Sequence, residues 1–133
     1  MINRIRLLVV DDEARVRQGL QMRLALEPDL EVVGEAADGE TALHLALGLR
    51  PDVVVIDLLM PGMDGLAAIR LLRLATPASG ILAFSIRDGL AVRRETAAAG
   101  AAAFVAKQDG PDRLLAAIRD LAARQRLHEI TED

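Results

Sequence analysis

The sequence has no cysteine, no tryptophan and no tyrosine, and only two phenylalanines. Without cysteine there is no disulfide framework, no thiolate metal centre and no thiol nucleophile, a composition that suits a reducing compartment. Lysine is nearly absent as well: fifteen of the sixteen basic residues are arginine, and Lys107 is the sole exception. The phosphate-binding loop GxxxxGK(S/T) is missing, and Lys107 does not stand where that loop would need it. Positive charge is in deficit, with Lys+Arg 16 against Asp+Glu 20 and a net charge of −4, the opposite of the basic footprint that a nucleic-acid binder needs. No apolar run reaches the roughly 18 residues of a membrane span. The start, Met1-Ile2-Asn3-Arg4-Ile5-Arg6, has neither the length nor the cleavage site of a signal peptide. A soluble cytoplasmic domain is expected, with neither nucleic acid nor membrane as a direct partner.

What is present is a chain of 133 residues, 52% apolar, enough for one core and too short for two full domains. Short apolar runs alternate with longer stretches of helical period, which argues for repeated βα units on a parallel sheet. Strands are expected at Ile5–Val10, Glu31–Ala36, Val53–Ile56, Gly80–Phe84 and Ala102–Ala106, the second being more polar and so an edge. Helical stripes follow: Val16, Leu20, Leu24; Ala42, Leu43, Leu45, Ala46, Leu49; Leu66, Ile69, Leu72; Leu90, Val92, Ala97; Leu114, Leu115, Ile118, Leu121, Ala122. Asp38, Asp64 and Asp88 stand at expected helix N-caps, Pro28, Pro51 and Pro77 fall after helices, and Pro111 opens the last one. The domain is expected over residues 1–126, with 127–133 a tail, frayed helix end or linker start.

In open parallel α/β sheets, ligands bind beyond the carboxyl ends of the strands. After the first strand come Asp11, Asp12 and Glu13; after the third, Asp57; after the fourth, Ser85; after the fifth, Lys107. In a flavodoxin-like order 2-1-3-4-5, Asp11, Asp12 and Asp57 share one crevice. Three carboxylates there repel, and a shared proton, a cationic side chain or a hard divalent cation would relieve them; an open oxygen cluster suits Mg2+. An aspartate in such a site can attack phosphorus once the transferred oxyanions are neutralised. Ser85 and Lys107 would complete the pocket with a hydroxyl and a compact cation.

Four stretches, Leu7-Leu8-Val9-Val10-Asp11-Asp12-Glu13, Asp52-Val53-Val54-Val55-Ile56-Asp57-Leu58-Leu59-Met60-Pro61-Gly62-Met63-Asp64-Gly65, Phe84-Ser85 and Phe104-Val105-Ala106-Lys107, resemble the receiver domain of two-component response regulators. The resemblance spans about residues 4–126. It implies that Asp57 is the phospho-acceptor and that Asp12, Asp57 and the Leu59 carbonyl ligate Mg2+, with Asp11 acting directly or through water. By the same resemblance Ser85 swings toward the phosphoryl group, Lys107 bonds it, and Phe104 holds the switch-aromatic position. The implied partner is a sensor histidine kinase, whose phosphohistidine supplies the phosphoryl group. The responding surface would be that of the fourth helix, fifth strand and fifth helix. This describes a switch whose only chemistry is its own phosphorylation and dephosphorylation, not a turnover enzyme.

Departures from the family pattern are specific. Gln108 follows Lys107 where many members have a cis proline; Ile86 is bulkier than the usual alanine; Leu59 and Arg87 occupy positions that tune dephosphorylation; Phe104 lacks a hydroxyl. Phe84-Ser85 with Lys107 and no proline is most similar to receivers preceding a LuxR-type helix-turn-helix output domain, which implies transcription regulation. Apolar Leu90, Val92 and Leu115 suggest a homodimer on phosphorylation.

Simpler uses exist for each residue. Asp11 and Asp12 could cap the first helix, Asp57 could belong to a turn, Ser85 and Lys107 could be ordinary strand ends, and Phe104 could be core. His44 reads as a helix-surface residue. The dipeptide His128-Glu129 resembles that of kinase phosphohistidines but lacks their helical hairpin. Arg113, Arg119, Arg124 and Arg126 read as a solvated face pairing with Asp109, Asp112 and Asp120. Rival functions are a phosphorylation-independent interaction module of the same fold, an aspartyl-phosphate phosphatase, disfavoured by Leu59 and by too short a chain for a cap, and a flavin protein, disfavoured because no hydroxyl-rich loop follows the first strand and no tryptophan or tyrosine is there to stack a ring.

Overall fold

Alternating side chains decide the architecture. In β1 (Ile5–Val10), Leu7 and Val9 point to one face and Leu8 and Val10 to the other, and all four are buried. Such a strand needs helices on both sides of its sheet. A computed structural model provides them, describing the backbone of residues 3–60 and 62–131 and the side chains of 3–60 and 62–127. Its order is β1, α1 (Ala14–Leu24), β2 (Leu30–Ala36), α2 (Gly39–Leu49), β3 (Val53–Ile56), α3 (Gly65–Ala75), β4 (Gly80–Ser85), α4 (Leu90–Ala99), β5 (Ala103–Ala106), a 3-10 turn (Lys107–Asp109) and α5 (Pro111–Thr131). The five strands are parallel in the order β2-β1-β3-β4-β5, as expected.

Two cores result. Leu24 of α1 and Leu114, Ile118 and Leu121 of α5 cover Leu7, Val9, Val55 and Leu82, while α2, α3 and α4 cover Leu8, Val10, Ile56 and Ile81. Both are largely aliphatic, so truncating a fully buried member such as Leu82 to alanine would cost about 2–5 kcal/mol.

Local chemistry sets the helix starts. Asp38 accepts from Thr41 N–H at 2.8 Å and Asp64 from Leu66 N–H at 3.0 Å, both as expected of N-caps. Asp88 is displaced by one position: Gly89, at φ 127°, takes the cap, and Asp88 accepts from its N–H while pairing with Arg93. The buried face of α4 also differs from expectation. Val92, Thr96 and Ala99 turn inward while Leu90 and Ala97 are exposed, because Thr96 satisfies its hydroxyl on the Arg93 carbonyl and so tolerates burial.

Three further expectations need correction or placement. Leu115, read as part of a dimerising surface, is buried in the α1–α5 core. Arg124 does pair with Asp120, but Arg119 reaches Asp29 and Glu27, and Arg126 reaches Asp52 and the Arg4 carbonyl. The backbone of α5 continues past residue 126 to Thr131. Pro61, residues 132–133 and the side chains of His128 and Glu129 lie outside the described residues.

Candidate functional site

β1 and β3 are hydrogen-bonded neighbours, so the residues that follow them meet at one end of the sheet. The Asp57 N–H donates to the Val10 carbonyl and the Asp11 N–H to Ala36, which continues the sheet ladder one residue into the site. Asp11 is 2% exposed and Asp57 5%, while Asp12 is open to solvent. Each contributes a carboxylate oxygen to a cluster in which these oxygens lie within 4.8 Å of one another.

Lys107 enters from β5. Its Nζ lies 2.7 Å from Asp11 Oδ2, 3.4 Å from Asp57 Oδ2 and 5.9 Å from the Phe84 ring centroid. One lysine faces two buried carboxylates and a third exposed one. Burial holds the Asp57 carboxyl above the ordinary aspartate range, only partly opposed by the Leu59 N–H and Lys107, while Asp11 raises it further. Burial works to lower the Lys107 pKa, but the hydrogen bond to Asp11 and the charges of Asp57 and Asp11 outweigh it and hold the ammonium above its ordinary value.

Backbone donors fix the two buried acids. Asp57 Oδ1 accepts from Leu59 N–H at 3.2 Å, and Asp11 Oδ1 from Glu13 N–H at 3.0 Å. Glu13 itself stands at the N-cap of α1 and lies outside the acidic cluster. Gly65 lets α3 start against the loop after β3; a Cβ there would collide with the Leu58 backbone. Ser85, fully buried, pairs in register with Ala106 beside Lys107, and its Oγ accepts from Arg87 N–H at 3.1 Å. Among the described residues there is no cis peptide, and the Lys107-Gln108-Asp109 segment is a single 3-10 turn. The Lys107–Gln108 peptide is therefore trans, without the cis bond that a proline brings to this position in many family members.

Phe104 is half-buried against α4, with the Arg93 guanidinium 4.6 Å from its ring centroid. Leu59 and Ile86 are exposed at 41% and 63%, flanking the acids. The structure therefore gathers Asp11, Asp12, Asp57 and Lys107, places Ser85 on the neighbouring strand, and sets Phe104 apart on the α4 side. Three hard oxygen donors with one solvent-facing member fit a divalent cation such as Mg2+ better than a soft metal.

Residues 7–119 match the model of the response regulator receiver domain. The chain belongs to that family. Receivers with similar sequence occur in the transcriptional regulatory protein DegU of Brevibacillus brevis, 33% identical over 120 residues, covering 90% of this chain and 51% of that protein. Another is found in protein-glutamate methylesterase/protein-glutamine glutaminase 2 of Carboxydothermus hydrogenoformans, 40% identical over 110 residues, covering 82% and 31%. The crystal structure of a two-component response regulator of the LuxR family from Aurantimonas sp. SI85-9A1 superposes with a TM-score of 0.86 at 37% identity, covering 90% of this receiver and 86% of that chain. The receiver thus spans about half or less of those two curated relatives.

Two contacts, one at the acids and one at Phe104, have no counterpart in the sequence reading. Arg17 donates to the Asp11 carbonyl, and Arg93 stacks on Phe104. Neither lies at a strand end, so the rule that located the acids passes over both.

Proposed function

We propose that this receiver is a Mg2+-dependent switch that takes a phosphoryl group onto Asp57 from the phosphohistidine of a sensor histidine kinase. The observation that carries the reading is a buried Asp57 whose carboxylate shares an oxygen cluster with Asp11 and Asp12 and lies 3.4 Å from the only lysine. The residues suited to hold the cation are Asp12, Asp57 and the backbone carbonyl of Leu59, with Asp11 bound directly or through water. When bound, it would neutralise charge on the phosphoryl oxygens.

The chain's own residues do the rest. An Asp57 carboxylate oxygen forms a bond to phosphorus while the bond from phosphorus to the kinase imidazole nitrogen breaks, and the imidazole leaves with the electron pair. Lys107, tethered between Asp11 and Asp57, is one reach from an oxygen of the new group. Ser85 Oγ accepts from Arg87, which leaves its hydroxyl proton available to another phosphoryl oxygen.

The phosphoryl group adds about −1.5 to −2 charge. Moving Ser85 moves the loop to Asp88, which bonds Arg93, which covers Phe104. This chain of contacts supports a response of the α4–β5–α5 surface, with the Phe104 ring acting through packing. Through that surface the receiver would act on a second copy of itself, on an output domain or on a downstream protein, in the cytoplasm, with transcription regulation as the outcome and without binding nucleic acid itself.

The test is intact-protein mass after incubation with acetyl phosphate, with and without Mg2+. A gain of one phosphoryl group in the wild type with Mg2+, absent from Asp57→Ala, is the expected result. Equal labelling of both proteins, or none in a folded wild type, would overturn the reading.

A further inference from the structure

The Asp11–Asp12 peptide is held from outside the acidic cluster. Arg17 Nη1 donates to the Asp11 carbonyl at 2.6 Å, while Arg17 Nε pairs with Glu35 Oε1 at 3.1 Å on edge strand β2. Gln21, one turn further along α1, donates to the other oxygen of Glu35. The Arg17 side chain is only 14% exposed, although it belongs to a surface helix. On the other side of the same residue, the Asp11 N–H donates to the Ala36 carbonyl. Both amide planes around Asp11 are therefore clamped, and the next side chain along, Asp12, has no hydrogen bond within the chain among the described contacts.

We propose that Arg17, braced by Glu35, is a positioning residue that orients the Asp11–Asp12 peptide so that the Asp12 carboxylate is preset for the divalent cation. The inference rests on the metal-dependent reading above. It needs a guanidinium, because one planar fork must serve a carbonyl and a carboxylate at once, which a lysine point charge cannot do. Partners of this kind, which orient a metal ligand without touching the metal, typically alter metal affinity 10–100-fold.

Geometry and charge predict opposite signs here. If Arg17 mattered only through its charge, removing a cation near three carboxylates and leaving Glu35 without its cationic partner would tighten Mg2+ binding, and salt would erase the effect. If it positions the peptide, removing it weakens binding at any ionic strength.

The experiment titrates the full chain with Mg2+ alone by isothermal calorimetry at low and high salt, with the metal-free melting temperature recorded for each protein. Arg17→Gln and Arg17→Lys should each weaken Mg2+ binding by about tenfold, at both salt concentrations, while still melting cooperatively. Glu35→Ala, which removes one anchor and leaves the carbonyl contact, should give a smaller loss of about threefold, and it carries the test if the Arg17 variants do not fold. Unchanged or tighter binding in the folded variants, or full affinity in Arg17→Lys, overturns the positioning role while leaving the metal reading intact. A wild type that binds no Mg2+, or an Asp12→Ala variant that binds it as well as wild type does, overturns the metal reading and the proposal with it.

Discussion

The two ends of the one sheet treat buried polar groups differently. At the amino ends of the strands, Ser79 Oγ donates to the Pro51 carbonyl at 2.6 Å, Asp52 Oδ2 accepts from Arg6 N–H at 2.8 Å, and Arg6 Nη1 caps the Leu49 carbonyl. Donors and acceptors there satisfy one another across neighbouring loops, with Arg6 Nη1 also reaching the Arg50 carbonyl and Asp52 also pairing with Arg126. At the carboxyl ends, three acids face one lysine, and burial holds Asp57 above its ordinary range. One end uses polarity to tie loops together. The other leaves acceptor capacity over, which is what a site needs in order to take a cation and an oxyanion.

Mutations at each end sharpen or break this contrast. Lys107→Ala should slow acetyl phosphate labelling by about 100-fold or more, the usual effect of removing one preorganised oxyanion partner, as followed by timed mass spectra. Ser79→Ala should leave labelling and Mg2+ affinity unchanged yet cost about 1–3 kcal/mol in chemical denaturation, because the Pro51 carbonyl loses its donor. If the two phenotypes were exchanged, the contrast between the ends would be wrong.

A smaller effect concerns stability without metal. A carboxyl whose folded pKa is raised destabilises the fold once ionised, and at neutral pH that cost is present. Asp57→Asn removes it and should melt at a higher temperature than wild type in chelator, an order that saturating Mg2+ should reverse by stabilising only the wild type.

The smallest effect belongs to a surface cluster where α5 meets the loop before β2, Arg119 with Asp29 and Glu27. Hydrogen bonds from Arg119 hold both carboxyls below their ordinary values. Depressed carboxyl pKa values contribute stability that is present above about pH 4.5 and lost as the pH falls through the folded-state values. Arg119→Gln should therefore lower the melting temperature slightly at pH 7, by an amount that shrinks as the pH falls toward 3.

The strand boundaries read from apolar runs agree with the structure to within one residue, because the inner strands, covered on both faces, are apolar at nearly every position. The acids were legible for a related reason: a carboxylate that closes an apolar strand is a local signal. Asp88 was misplaced by one residue because Gly89 can adopt a positive φ and take the cap itself. Leu115 looked like surface because helical period alone does not say which stripe of α5 meets the sheet. Arg17 and Arg93 stayed hidden among fifteen arginines, and Arg119 was read with nearby aspartates as partners, since Glu35, Phe104 and Asp29 stand on other elements.

The sequence by itself determined the βα alternation, the strand ends and the kind of chemistry they carry, since periodicity and residue type are local properties. The tertiary structure decided which strand ends meet, how many cations face the three carboxylates, and which arginine braces them. Those depend on strand order and on contacts between residues such as Lys107 and Asp11, 96 positions apart, which no local pattern encodes.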